Sequence, residues 1–299
     1  MLLGFLGDVH GHAFHAIAAL ATWQRETRQQ FDLIIQVGDM ACEPDRDQVM
    51  PDAAADPHLT LDPAEADFAR LLKAEGRRAD LLRNLRRQFR SPIHFVRGNH
   101  EPFAWLRQLP VDPSTGMALV DPFDLFRYVR DGTIMRIGDV RIAFLGGVEE
   151  RQDEAGLDQD AYARLLALGP RQIDVLVAHG GHYGTSIGFR GDVHGSRLMT
   201  QLLEQIQPAY FLFGHAHQRI GPGQLGRTTY LGLDGLLPSV RWQPDVRGLQ
   251  PGSLAVLDTA TARLQPITDA WLSQFPARPF DFDSWAEAFC EQGWPAHPN

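Results

Sequence analysis

The sequence predicts an α/β fold, and three observations carry that reading. Short apolar segments recur along the chain, and at five of them the segment ends with a glycine beside Asp, Asn or His. Stretches with apolar residues at helical spacing lie between several of these segments. The chain has 299 residues with 44% hydrophobic and 22% charged side chains, enough to bury a core in one domain or two. In an open α/β sheet, strand ends are where ligand-binding loops converge. Glycine lets the backbone turn sharply at such ends.

Taken in order, residues 1–6 form an apolar run that reads as a buried strand. Residues 12–28 place Ala13, Ile17, Leu20 and Ala21 on one helical face. Residues 31–37 are a second strand, ended by Gly38-Asp39, and 40–62 form a Pro- and Asp-rich insertion. Residues 63–90 read as one helix, with Phe68, Leu71, Leu72, Leu81, Leu82 and Leu85 inward and its arginines on a solvated face. Residues 92–96 are a strand running into Arg97-Gly98-Asn99-His100-Glu101. Segments 125–130, 133–137 and 140–145 read as a β-meander, with Gly138-Asp139 as a hairpin turn. A helix at 158–168 precedes strand 173–178, which ends at His179-Gly180. A glycine-rich loop then opens helix 196–207, and strand 209–213 ends at Gly214-His215-Ala216-His217. Segments near 228–233 and 253–258 are candidates to complete a sheet. The tail 265–299 holds three of six Trp and four Phe, so it packs on the body or on a partner, and a homo-oligomer is one expectation.

Composition excludes several classes. A net charge of −9 argues against a nonspecific nucleic-acid coat, which needs a basic face. Two cysteines, Cys42 and Cys290, do not make a disulfide framework and fit a reducing compartment. The first residues lack the basic and long apolar regions of a signal peptide. No apolar run reaches the ~18 residues of a membrane span. A cytoplasmic protein with no membrane partner is expected.

The polar residues at the five strand ends form a constellation: Asp8 and His10, Asp39, Asn99 and His100, His179, His215 and His217. Two carboxylates, one amide and five imidazoles suit Mn, Fe, Zn, Ni or Co, and the absence of thiolate excludes a zinc–cysteine structural site. Eight groups are too many for one ion. They match two ions that share a carboxylate, with one group left for acid catalysis. Two ions about 3.5–4 Å apart suit in-line displacement at phosphorus.

The strings GDVHG (7–11), GD (38–39), RGNHE (97–101), HG (179–180) and GHAH (214–217) occur in the order of the calcineurin-like metallophosphoesterases, which this chain resembles from residue 1 to about 220. The resemblance implies a two-sheet β-sandwich flanked by helices, four layers in all, over residues 1–264, with 265–299 as a tail. It implies a first metal on Asp8, His10, Asp39 and His217. A second sits on Asp39, Asn99, His179 and His215, with Asp39 bridging and Mn favoured. It makes His100 the donor to the leaving group, after in-line attack by a metal-bridging hydroxide on a phosphomonoester or phosphodiester. Phosphorylated small molecules, nucleotides and nucleic-acid ends are the substrate classes in view.

Two departures narrow the branch. Serine/threonine protein phosphatases carry an arginine in their second motif, and the string here is GDMACEP. Arg97, by contrast, matches a phosphate-contacting arginine of that branch. The stretch 194–217 resembles RNA lariat debranching enzymes, which have Cys where this chain has Asp8. A nucleotide or RNA phosphodiesterase is therefore the alternative substrate reading. A non-catalytic scaffold is disfavoured, because none of the eight positions is missing. His182, three residues after His179, is a further substrate contact. GDVHG recurs at 191–195, not after an apolar strand, and reads as a loop opening the next helix. Backbone N–H groups at such a start favour anions, so Arg190 and Arg197 are expected to border the substrate pocket.

Overall fold

The computed structural model describes residues 1–45, 62–187, 193–238, 243 and 245–292. Arg190, Gly191 and Asp192 lie outside the described residues, as does most of the 40–62 insertion. In chain order the elements begin with β1 (Leu2–Leu6), α1 (Ala13–Thr27), β2 (Leu33–Gln36), α2 (Asp67–Leu72), α3 (Gly76–Arg86) and β3 (Ile93–Phe95). Next come α4 (Phe103–Leu106), β4 (Met117–Leu119), β5 (Phe126–Val129), β6 (Ile134–Ile137), β7 (Val140–Leu145), α5 (Gln159–Leu166) and β8 (Val175–Ala178). Then follow β9 (Ser186–Ile187), β10 (Val193–His194), α6 (Arg197–Ile206), β11 (Tyr210–Phe213), β12 (Ile220–Leu225) and β13 (Thr228–Gly232). The last are β14 (Leu254–Asp258), β15 (Arg263–Ile267), α7 (Ala270–Gln274) and α8 (Phe282–Glu291).

Two sheets result. One runs β15-β14-β1-β2-β3-β5-β4 and the other β12-β13-β11-β8-β7-β6. In the first, β1, β2, β3 and β5 are parallel; in the second, β7, β8, β11 and β13 are. Antiparallel strands close both edges. Period-two alternation explains how each strand serves two layers. Leu3, Phe5, Leu33 and Ile35 point between the sheets, where they meet Ile142, Phe144, Val175 and Leu212. Leu6 and Ile34 point outward under α1 and its neighbours. Leu176, Phe211 and Phe213 point to the opposite side, under α5 and α6. Helix, sheet, sheet, helix is therefore the order of layers, the four-layer α/β sandwich expected above.

Three expectations change. The 63–90 helix is broken: a 3-10 turn covers Pro63–Ala66, and α2 and α3 are separate. Gly76, with φ +52°, sits at the break, a conformation that suits glycine and not a helix interior. The 125–145 meander is split between sheets. β5 joins the first sheet beside β3, while β6 and β7 pair in the second. Asp131-Gly132, with Gly132 at φ +78°, turns the chain across. The 264/265 boundary falls inside β15, which pairs with β14 along its whole length. Beyond β15, Leu272, Phe275, Phe282 and Phe289 are buried in the same core as α1 and α3. Among the described residues, the tail's aromatic side chains thus pack on the chain's own core. No helix among the described residues is long and apolar enough to cross a membrane.

Candidate metal centre

Register brings the ligand loops to one level. Leu6 pairs with Gln36 and Gln36 with Phe95, so β1, β2 and β3 end side by side. The loops after them carry Asp8 and His10, Asp39, and Asn99 and His100. From the second sheet, the loops after β8 and β11 bring His179, His215 and His217. Backbone bonds lace the loops together: the Val9 and His10 amides donate to the Asp39 carbonyl at 3.0 and 2.9 Å, and the Gly11 amide to Met40 at 2.8 Å.

Each carboxylate is held by the amides of another loop. Asp39 Oδ1 accepts from the Asn99 and His100 N–H groups at 2.7 and 2.8 Å. The Asp8 carboxylate accepts from the His215 N–H, with its nearer oxygen at 3.0 Å. Two motif glycines are required by this closeness. A Cβ on Gly98 would stand 2.1 Å from Asp39 Oδ1, and one on Gly214 would stand 2.1 Å from Asp8 Oδ1. Four ligand residues also adopt positive φ without being glycine: His10 at 47°, Asp39 at 55°, His215 at 68° and His217 at 46°. Such strain gathers where surrounding structure over-determines a functional geometry.

Donor atoms converge in two groups that share Asp39. One contains Asp8, His10, Asp39 and His217; the other contains Asp39, His179 and His215; within each group the ligand atoms lie within 4.8 Å of one another. Asn99 joins the second group, its Oδ1 3.0 Å from His179 Nε2.

The residues fit metal ions. Asp39 Oδ2 is buried with no hydrogen-bond partner, a costly state unless a cation faces it. His179 Nδ1 donates to the Val37 carbonyl at 3.1 Å, which turns Nε2 toward Asn99 and Asp39 Oδ1, 3.4 Å away. His10 Nε2 and His217 Nε2 meet at 2.9 Å. Burial pushes His179 down, but the charge and hydrogen bond of Asp39 outweigh it and hold the imidazole up at about 9. Burial pushes Asp39 the other way, and the charge and hydrogen bond of His179, with the charges of His10 and His100, together outweigh it, so the carboxylate lies well below its ordinary range. Cation binding here therefore displaces a proton, and affinity falls as pH falls.

His100 stands at the rim, exposed, with its ring centroid 5.6 Å from that of His10. Beside the second group opens a cavity of about 390 Å³, within the usual range for ligand pockets. Asn99 and His215 lie in its wall with Val148, Glu149, Leu157 and Met199, and His194, Gly195 and Ser196 close another side.

The expected substrate contacts fare differently. Arg97 does not face the site. It is buried, and its nitrogens bond Asp131 and the carbonyls of Glu154 and Gly156. His182 is buried too, its ring against Phe211, Phe213 and Tyr230. The apolar layer beneath α6 claims it, not the pocket. Arg197 is exposed and lies over the Tyr183 ring, 3.9 Å from its centroid, and does not line the cavity.

Glu101 carries a role that the sequence reading left unassigned. Its carboxylate accepts from the amides of Met40 at 2.8 Å, Ala41 at 3.0 Å and Gly98 at 3.1 Å. It ties the Asp39 loop to the Asn99 loop from beneath. Burial and the Asp39 charge push this carboxyl up to about 8 against those donors. The one signal available was its place at the end of RGNHE.

A two-sheet α/β body gathers carboxylates, imidazoles and an amide at its strand-end loops, a donor set that could hold metal ions. The profile of the calcineurin-like phosphoesterases matches residues 1–219, and the chain belongs to that family. Over 62 residues it is 36% identical to UPF0046 protein K07C11.7 of Caenorhabditis elegans, a stretch covering 21% of each chain. The match thus spans about a fifth of that relative. Among solved structures, TT1561 of Thermus thermophilus is similar at 14% identity and a TM-score of 0.46, over 89% of this chain and 98% of that one. The 5′-nucleotidase of Candida albicans is similar at 14% identity and a TM-score of 0.43, over 97% and 55%.

Proposed function

We propose that the chain hydrolyses a phosphomonoester or phosphodiester with two divalent ions, Mn being the first choice, held by the two groups that share Asp39. Asp39, which belongs to both groups and whose buried Oδ2 accepts no hydrogen bond, carries this reading. Asp8, His10, Asp39 and His217 would hold one ion, and Asp39, Asn99, His179 and His215 the other. Ions bound there lower the pKa of water and offset charge on the phosphoryl oxygens.

The chain's own residues do the rest. Asp39 and Asp8 keep the ligand loops in one geometry through the amides that they accept from. His100, at the rim and beside the first group, donates a proton to the leaving oxygen. The cavity beside Asn99 and His215 receives the organic part of the ester.

Reconstitution tests the reading. The chain is stripped of metal, reloaded with Mn, Fe, Zn, Ni or Co, and assayed on p-nitrophenyl phosphate, bis-p-nitrophenyl phosphate and 2′,5′-linked RNA. The expected result is two ions per chain by elemental analysis and metal-dependent turnover of at least one ester. One ion per chain at full activity would overturn the two-ion reading. Preference for the RNA would select the phosphodiesterase alternative.

A further inference from the structure

Arg97 precedes the Gly98-Asn99-His100 turn, yet its side chain runs the other way, into the seam between the sheets. All three nitrogens are used. Nε donates to Asp131 Oδ2 at 2.5 Å, Nη1 to the Glu154 carbonyl at 2.8 Å and Nη2 to the Gly156 carbonyl at 2.8 Å. Asp131 Oδ1 in turn accepts from the Gly146 N–H at 2.6 Å. The Gly147 N–H donates to the Arg97 carbonyl at 3.1 Å. Segment 146–157 is therefore pinned at both ends to one residue of the ligand loop.

That segment is also a wall of the cavity. Val148, Glu149, Glu150 and Leu157 face it, opposite Asn99 and His215. Glu149 fastens the next wall as well, since its Oε2 accepts from Ser196 Oγ at 2.7 Å and from the Leu198 N–H at 3.1 Å. A planar fork spreads its donors over three nitrogens and so reaches one carboxylate and two carbonyls at separate points, whereas a lysine offers its three donors from one nitrogen. Removing it leaves Asp131 with the Gly146 N–H alone, its charge unpaired, and takes a donor from each of the two carbonyls.

We propose that Arg97 is a positioning residue: it sets segment 146–157 against the Asn99 turn and so fixes the width of the cavity for the organic part of the ester. This rests on the phosphoesterase reading above. It assigns Arg97 to recognition of the alcohol moiety and takes it away from the phosphate.

The test uses the full chain loaded with Mn and two monoesters, 1-naphthyl phosphate with a bulky alcohol and methyl phosphate with a small one. In Arg97→Met, KM for the naphthyl ester rises about tenfold while KM for methyl phosphate stays within about twofold. Arg97→Lys shows the same pattern at smaller size, and Asp131→Asn reproduces it. Metal content stays at the wild-type value in all three. Amide hydrogen exchange of residues 147–157 accelerates, and that of residues 8–12 and 98–101 does not. An equal rise in KM for both esters would return Arg97 to the phosphate and overturn the proposal. Metal loss or unchanged exchange in the 147–157 segment would overturn it too. Should Arg97→Met fail to fold, Arg97→Lys carries the same readouts. A wild type that turns over neither monoester would remove the phosphomonoester reading and leave the phosphodiester one, while the exchange arm still decides the clamp.

Discussion

Two clusters of histidine and aspartate lie a few residues apart in this chain, and they behave as opposites. The first is the candidate metal centre. The second joins His12, His15, Asp62 and Asp67 to Arg278 of the C-terminal segment. In the second, His12 Nδ1 meets the Val9 carbonyl at 2.8 Å and Nε2 meets Asp62 Oδ2 at 3.2 Å. Arg278 Nε donates to the same Asp62 oxygen at 2.9 Å, and Arg70 pairs with Asp67 at 3.0 Å. His15 Nε2 donates to the Ala277 carbonyl at 2.9 Å. Arginines balance both carboxylates. In the first cluster, the ion-pair partners of Asp8 and Asp39 among the described residues are all histidines. Residue type does not separate a ligand set from a structural one. The supply of a fixed cation does: arginine brings a permanent charge to the second cluster, whereas the first has only imidazoles, which can give up their protons to a metal ion.

The largest way to break this contrast is Asp39→Asn. One carboxylate serves both ligand groups, so the variant is expected to lose bound metal and about 10³-fold or more in turnover. Elemental analysis and steady-state kinetics check it. A variant that keeps two ions and full activity would remove Asp39 from the bridging position.

A smaller effect sharpens the role of the rim. His100→Ala is expected to lower kcat by about 10²- to 10⁴-fold, the span of general acid catalysis, with metal content unchanged. Its ring is exposed and stands apart from both ligand groups. Metal loss in that variant would make His100 a ligand.

The ligands were legible because the chemistry sits where the pattern breaks. An apolar strand ending in glycine and a polar residue is a local signal, and all five ends that show it converge. What failed was inference from adjacency. Arg97 stands beside Gly98 in sequence, but its partner Asp131 is 34 residues away and on the connection between the sheets. His182 follows His179 by three, yet Phe211, Phe213 and Tyr230, from strands formed later in the chain, decide where its ring goes. Glu101 closes a string that was read, but its donors Met40 and Ala41 come from a loop about sixty residues earlier. The β5–β6 turn looked like a hairpin because periodicity reports strands and not the sheet that each strand joins. Long-range pairing, not local propensity, settled each of these.

The smallest expected effect tests the closed cluster. Burial pushes the Asp62 carboxyl up, but the hydrogen bond and charge of His12, with the Ala64 N–H and Arg278, outweigh it and hold it well below the ordinary 3.8. A carboxylate depressed in the folded state adds stability above its unfolded pKa and loses it as pH falls toward the folded value. Asp62→Asn removes that contribution, about 1–2 kcal/mol, or roughly 2–4 °C in a chain of this size. The melting temperature of the variant should therefore lie below wild type at pH 7. The gap should begin to close near pH 4 and vanish at lower pH, where wild-type Asp62 is protonated too. Metal content should not change, because the Asp62 carboxylate is bound to His12 and Arg278 and to none of the side chains in the ligand groups. A gap that widens on acidification, or an ion lost with the carboxylate, would show that the two clusters are one.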